Sequence, residues 1–241
     1  MSESKNKNRI EIIDALRGLA VVLMVIHHLL YDCVEFLGAP EWLFTNPVFD
    51  VLHYFFAGLF IFLSGVSSQF SRSNIKRGLK VIAVAALISL VTYYMEMPIW
   101  FGILHLLGFS MLFFGLTHKL WNLIKGKSAP VIYITLIVAC SLAITYAKPD
   151  AENSIVRILV SVLGWPQQGF ESYDYFPILP WIFVFLLGTW AGVYIAGRKL
   201  PGWFYELKFH IFPAIGRKAL LIYILHQPVL YALVMGISYI S

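Results

Sequence analysis

Charge is scarce in this sequence. Only 13% of its 241 residues are Asp, Glu, Lys or Arg, about half the share found in an average soluble domain. Hydrophobic residues make up 59% of the chain, and the mean hydropathy is +0.76. A water-soluble protein of this size could not cover its surface with so few charges. The composition therefore excludes a soluble domain and predicts an all-α protein that crosses a membrane several times.

Cysteine and the common catalytic motifs are scarce as well. The two cysteines, Cys33 and Cys140, lie in or beside apolar runs and predict neither a disulfide nor a zinc framework. The sequence contains no Walker loop and no HExxH, CxxC or GxSxG motif. The net charge of +5 does not indicate nucleic-acid binding, because the basic residues form short clusters between apolar runs. We therefore expect no metal and no nucleic-acid partner.

Apolar runs predict about seven helical spans within a single transmembrane domain over residues 1–241. Their approximate bounds are 13–34, 50–70, 78–96, 100–118, 129–147, 176–197 and 219–240. The first run is not a cleavable signal peptide, because Asp14 and Arg17 stand at its start and Asp32 near its end. A further short helix, lying on the membrane surface, is predicted over Ile155–Leu163 in the longest connection.

The basic residues sort onto one side of these spans. Of the 18 lysines and arginines, only Arg17, Lys148 and Arg157 fall outside the segments that alternate to the inner side. The positive-inside rule therefore predicts a multi-pass protein of the cytoplasmic (inner) membrane, with a cytoplasmic N-terminus and an external C-terminus. The inner cations are Lys5, Lys7, Arg9, Arg72, Lys76, Arg77, Lys80, Lys119, Lys125, Lys127, Arg198, Lys199, Lys208, Arg217 and Lys218.

The first span carries a stripe of ionisable side chains. At 100° per residue, Asp14, Arg17, His28 and Asp32 all fall within about 60° of one another around the helix. Arg17 and His28 are about 16 Å apart along its axis. Ionisable groups in a span cost several kcal/mol unless they face protein, water or ligand, so the stripe indicates a site. The alternative is structural, with Asp14 as a cap, Arg17 snorkelling and His28 paired with Asp32.

His28 and Asp32 are spaced i, i+4, so their side chains are predicted to meet. A carboxylate that holds one imidazole nitrogen fixes the tautomer and raises the basicity of the ring, as a general base requires. His27 points about 100° away and is predicted to be a packing histidine. Other site candidates, each with packing or solvation as the alternative, are His105, His226, Gln227, Asp50, His53 and Ser64.

Several short motifs extend this pattern over most of the chain. The first is Asp14-Ala-Leu-Arg17-Gly-Leu, with ten residues between Arg17 and His28. The others are Phe62-Leu63-Ser64-Gly65, Gly102-Ile-Leu-His105-Leu-Leu-Gly108-Phe-Ser110, Tyr175-Phe-Pro-Ile-Leu-Pro-Trp181, Ile215-Gly-Arg217 and Tyr223-Ile-Leu-His226-Gln227-Pro228. With these motifs the chain resembles the transmembrane acyltransferase superfamily, and more closely the bacterial relatives of heparan-α-glucosaminide N-acetyltransferase.

The resemblance implies an enzyme that moves an acetyl group from cytoplasmic acetyl-CoA to a hydroxyl or amine acceptor, often a sugar, beyond the membrane. It implies Arg17 and His28 as the essential pair. The heparan enzyme has its catalytic histidine in the outer loop after the first span, but residues 33–49 contain no histidine. The catalytic role therefore falls on His28 with Asp32, and the expected donor-binding residues are Arg17, Asp14, Ser64 and Arg217.

Membrane lipids, acetyl-CoA and an extracytoplasmic glycan or small-molecule acceptor are the expected partners, and association into a homo-oligomer is left open. Two other classes of function also stay open. A proton-coupled transporter is one, because intramembrane histidines and aspartates also form proton relays. The other is a non-catalytic scaffold for a second membrane protein.

Overall fold

The computed structural model describes residues 10–121, 124 and 126–240, which form eleven α-helices and no strand. In chain order the helices are α1 (Glu11–Leu37), α2 (Trp42–Thr45), α3 (Pro47–Ser68), α4 (Asn74–Tyr94), α5 (Ile103–Trp121), α6 (Ala129–Tyr146), α7 (Ser154–Leu163), α8 (Trp181–Ala196), α9 (Gly202–Glu206), α10 (Phe212–Arg217) and α11 (Ala219–Ile240). The all-α fold expected from the composition is confirmed. The predicted inner cations Lys5, Lys7, Arg9 and Lys125 lie outside the described residues.

Five of the described helices, α1, α3, α5, α6 and α11, are long and apolar enough to cross a membrane. α4 has 21 residues with cations in its first two turns, and α8 is a shorter apolar helix of 16 residues. Each predicted span overlaps one of these seven helices, so the protein is an all-helical polytopic membrane protein of about seven spans. The predicted span 176–197 is longer than its helix, because Pro177 and Pro180 interrupt regular hydrogen bonding before Trp181.

The connection before α8 is ordered by its own polar contacts. α7 is confirmed as a helix, and the Asn153 side chain caps it by accepting a hydrogen bond from the backbone N–H of Ile155 at 2.9 Å. The Tyr175 hydroxyl donates to the carbonyl oxygen of Ser161. Burial raises the pKa of Tyr175 to about 12, so the phenol keeps its proton for this bond. The location of α7 on the membrane surface stays a prediction.

The described residues form two compact units, one from residues 10–63 and 200–240 and the other from the described part of residues 64–199. In the first unit the backbones of α1 and α10 touch at Gly18 and Gly216. A Cβ on Gly216 would collide with the carbonyl oxygen of Asp14, so only glycine permits this approach. The contact brings together two of the sequence motifs, the one that contains Arg17 and the one that ends at Arg217.

α11 lies beside α1 in the same unit. The rings of His28 and His226 have centroids 4.8 Å apart, and those of Phe36 and Tyr231 are 5.3 Å apart. The contacts advance in the same direction along both helices, so α1 and α11 run parallel. The start of α1 and the end of α11 therefore lie at opposite ends of this helix pair.

In the second unit, the end of α3 packs tightly on α8. A Cβ on Gly65 would collide with the carbonyl oxygen of Phe185, and the Gln69 amide donates to the carbonyl oxygen of Thr189 at 3.0 Å. Ser64 adjoins this contact, and the residue is only 5% exposed. These surroundings favour the packing role of Ser64 over the donor-binding role expected from the sequence.

Candidate active site

Four histidine rings lie in series in the first unit. The centroid of His53, on α3, is 4.3 Å from that of His27. His27 is 5.9 Å from its neighbour His28, and His28 is 4.8 Å from His226 on α11. His27 also packs on Phe44, at 5.1 Å, as its predicted packing role requires. The series brings together three helices that are far apart in the sequence.

The ring of His28 is held by its own helix. Its Nδ1 donates a hydrogen bond to the carbonyl oxygen of Met24, one turn earlier, at 2.9 Å. A neutral imidazole has one donor and one acceptor nitrogen, so this bond assigns the proton to Nδ1 and the lone pair to Nε2. The helix therefore presents the tautomer in which Nε2 can act as a base or a nucleophile.

Asp32 is fully buried, and its partner is Gln227 of α11. The Gln227 amide nitrogen donates to both carboxylate oxygens, at 2.9 and 3.1 Å. The predicted hydrogen bond between His28 and Asp32 is therefore wrong. The carbonyl of Met24 already satisfies Nδ1 of His28, and the amide of α11 satisfies the carboxylate.

Two buried acceptor atoms lie on α11, on Gln227 itself and on the preceding residue, His226. Nδ1 of His226 donates to the carbonyl oxygen of Tyr223 at 2.7 Å, which leaves the lone pair on Nε2. Within the described part of the chain, neither Nε2 of His226 nor Oε1 of Gln227 has a hydrogen-bond partner. Buried polar atoms rarely lack one, so both acceptors are suited to a bound group that carries N–H or O–H.

The cationic end of the stripe lies at the α1–α10 contact. Arg17 donates from Nη1 to Oδ1 of Asp14 at 3.1 Å, and both side chains are 16% exposed. Arg217 directly follows Gly216, which touches the backbone of Asp14. Asp14 is thus a partner of Arg17, and its negative charge makes it unsuited to contact a phosphate itself.

Comparison with known proteins adds one decisive finding. Residues 9–228 match the family model described as heparan-alpha-glucosaminide N-acetyltransferase, catalytic. The chain belongs to this family. No curated protein and no solved structure matches it. The resemblance inferred from the motifs is confirmed, and the protein is a member of a membrane acetyltransferase family.

The family match includes the second compact unit, most of the first and the whole histidine series. His53, a site candidate at the outer start of a predicted span with solvation as the alternative, lies in this series beside His27. A usable signal was present in the short connection of residues 38–46 between α1 and α3. Short connections join neighbouring helices, so the end of α1 and the start of α3 were bound to lie close together.

His105 lies in the second unit, where both nitrogens of its ring form hydrogen bonds. Its Nδ1 accepts from the backbone N–H of Gly102 at 3.3 Å, and its Nε2 lies 3.2 Å from the hydroxyl of Ser89. That hydroxyl donates to the carbonyl oxygen of Ile99. Both ring nitrogens are thus engaged in holding the turn before α5, which favours the packing alternative for His105.

Over residues 10–121, 124 and 126–240, no group of three or more His, Cys, Asp or Glu side chains is arranged to hold a metal ion. Within the histidine series the rings pack on one another, and Nδ1 of His28 and Nδ1 of His226 each donate to a backbone carbonyl.

Proposed function

We propose that the protein transfers an acetyl group from cytoplasmic acetyl-CoA to a hydroxyl or amine acceptor, of the sugar class, at the outer side of the membrane. One observation carries the proposal: α1 is a single helix of 27 residues with Arg17 near one end and the histidine series near the other. Such a helix is about 40 Å long, enough to reach across a membrane. Donor and acceptor can then approach the site from opposite sides.

Arg17 is the proposed anchor for the phosphates of acetyl-CoA, with Arg217 as a second cation. A guanidinium offers several N–H donors in a planar fork that fits phosphate oxygens. Asp14 supports this role indirectly, because its bond to Nη1 limits the positions that the Arg17 side chain can take. The pantetheine arm then follows α1 for about 16 Å toward His28.

His28 is the proposed catalytic residue at the thioester end. The lone pair on Nε2 either takes up the acetyl group transiently or removes the proton of the acceptor. Both routes need the tautomer that the Met24 carbonyl favours. Asp32 positions α11 relative to α1 through its two hydrogen bonds to Gln227.

The direct test uses protein purified in detergent with labelled acetyl-CoA. Release of CoA, with the label found on an acceptor or on acetate, supports the proposal. Comparing acetylated products in cells that carry and lack the protein then identifies the acceptor. Saturable solute uptake into liposomes, without any acetyl transfer, would instead favour the transporter. Loss of both activities would favour the scaffold.

Replacing Arg17 with alanine should weaken CoA binding by about 10- to 100-fold, the loss expected for a hydrogen bond between charged groups. Arg17→Lys should recover little, because lysine keeps the charge without the fork. Asp14→Asn is the matched control. It can still accept from Arg17 but removes the nearby negative charge, so CoA should bind more tightly. Calorimetry at low and high salt measures all three, and equal CoA affinity in wild type and Arg17→Ala would refute the assignment.

The proposed orientation places the N-terminus in the cytoplasm and the C-terminus outside the inner membrane. It is supported by the side on which the cations cluster and by the parallel arrangement of α1 and α11. We expect a C-terminal reporter that works only outside the cytoplasm to be active. Activity solely of a cytoplasm-dependent reporter would contradict this topology, and an N-terminal fusion provides the control.

A further inference from the structure

We infer that His226 takes the proton that the acceptor loses during acetyl transfer, and that His226 and Gln227 together receive the N–H or O–H of that acceptor. The inference deepens the proposed function and rests on it. It assigns the acceptor end of the site to α11, while the acetyl group stays with His28 on α1.

The first observation is the pair of buried acceptor atoms. Both side chains face α1, since the ring of His226 contacts His28 and the amide of Gln227 bonds Asp32. Over the described residues, neither Nε2 of His226 nor Oε1 of Gln227 receives a hydrogen bond. Two buried acceptors on consecutive residues of α11, both without a donor, match a hydroxyl or amine, and they do not match a carbonyl or phosphate.

The second observation is the orientation of the two rings. His28 and His226 meet edge to face, with an interplanar angle of 84° and centroids 4.8 Å apart. Each ring donates from Nδ1 to a carbonyl of its own helix, so each keeps a lone pair on Nε2. A lone pair that bonds to an acetyl carbon cannot also take a proton. The neighbouring lone pair of His226 is therefore the available base.

The chemical step balances without any further reactant. The oxygen or nitrogen of the acceptor bonds to the acetyl carbonyl carbon, and its proton passes to Nε2 of His226. The bond from that carbon to Nε2 of His28 breaks with its electron pair, the CoA thiolate having left in the earlier step that acetylated His28. His226 then returns the proton to the CoA thiolate or to water, which restores the starting tautomer.

The test compares two small acceptors on full-length protein in detergent, with acetyl-CoA as the donor. Water must lose a proton to attack, whereas hydroxylamine is already a strong nucleophile and needs far less help from a base. His226→Ala should slow acetyl-CoA hydrolysis by about 10²- to 10⁴-fold, the usual contribution of a general base. Formation of acetohydroxamate from hydroxylamine should change little, and added imidazole should restore part of the hydrolysis.

His226→Gln serves as a second variant that keeps a polar side chain. Thermal unfolding measures whether both His226 variants remain as stably folded as wild type. His118→Gln is the matched control, because exposed His118 also bonds a carbonyl three residues earlier, Gly115, through Nδ1. Wild-type hydrolysis by His226→Ala overturns the inference. So does an equal loss with water and hydroxylamine that imidazole does not rescue. Wild-type protein that reacts with neither acceptor overturns the proposed function, and the inference with it.

Discussion

His28→Ala should abolish release of CoA from acetyl-CoA, with water and with hydroxylamine alike. Loss of the nucleophile or its base at an acyl-transfer site costs roughly 10⁴- to 10⁶-fold in rate. Binding of CoA should survive, since Arg17 lies about 16 Å away along α1. Rates of CoA release and CoA affinity, measured on the same preparation, check both halves of this expectation.

The control for His28 is its neighbour. His27→Ala removes a ring that packs on His53 and Phe44, so it should lower stability modestly and leave most of the activity. A purely structural His28 predicts a different result, in which stability and activity fall together because buried groups lose their partners. His28→Gln, which keeps a polar side chain, should stay folded and inactive. Near wild-type turnover in either His28 variant would show that His28 is not the catalytic residue. His226 would then be the next residue to test.

The sequence was sufficient to predict the helix that organises the site. The apolar run from residue 13 and the charged stripe at helical spacing fixed α1 as one span, and the structure shows a continuous helix over Glu11–Leu37. The contact between Gly18 and Gly216 was not predictable, although each glycine lies within one of the short sequence motifs. Glycine permits close approach of any two backbones, so its position alone cannot say which two meet.

The partner of Asp32 shows why part of the site escaped prediction. Spacing of i, i+4 establishes only that His28 and Asp32 can meet. It does not weigh that contact against a backbone carbonyl of the same helix or against an amide 195 residues away. The Met24 carbonyl bonds His28 and the Gln227 amide bonds Asp32, because each bond satisfies a polar group that would otherwise be buried without a partner. A single sequence carries no signal for such a long-range choice.

The observed pairing makes the bond between Asp32 and Gln227 a second decisive test. Gln227→Leu leaves a fully buried carboxyl without its donor, which should cost about 1–3 kcal/mol or more in free energy of unfolding. The bond also joins α1 to α11, so its loss should displace His226 relative to His28 and reduce turnover. Asp32→Leu should behave similarly. Thermal unfolding in detergent and the rate of CoA release measure the two effects separately.

Asp32→Asn distinguishes a positioning role from a role of the charge itself. The asparagine oxygen can accept from the Gln227 amide as the carboxylate does. The link between α1 and α11 is then kept while the negative charge is gone. We expect stability and turnover close to wild type, because the carboxylate bonds Gln227 and not His28. A stable but inactive Asp32→Asn protein would contradict this, and would mean that the charge of Asp32 stabilises a protonated or acetylated His28.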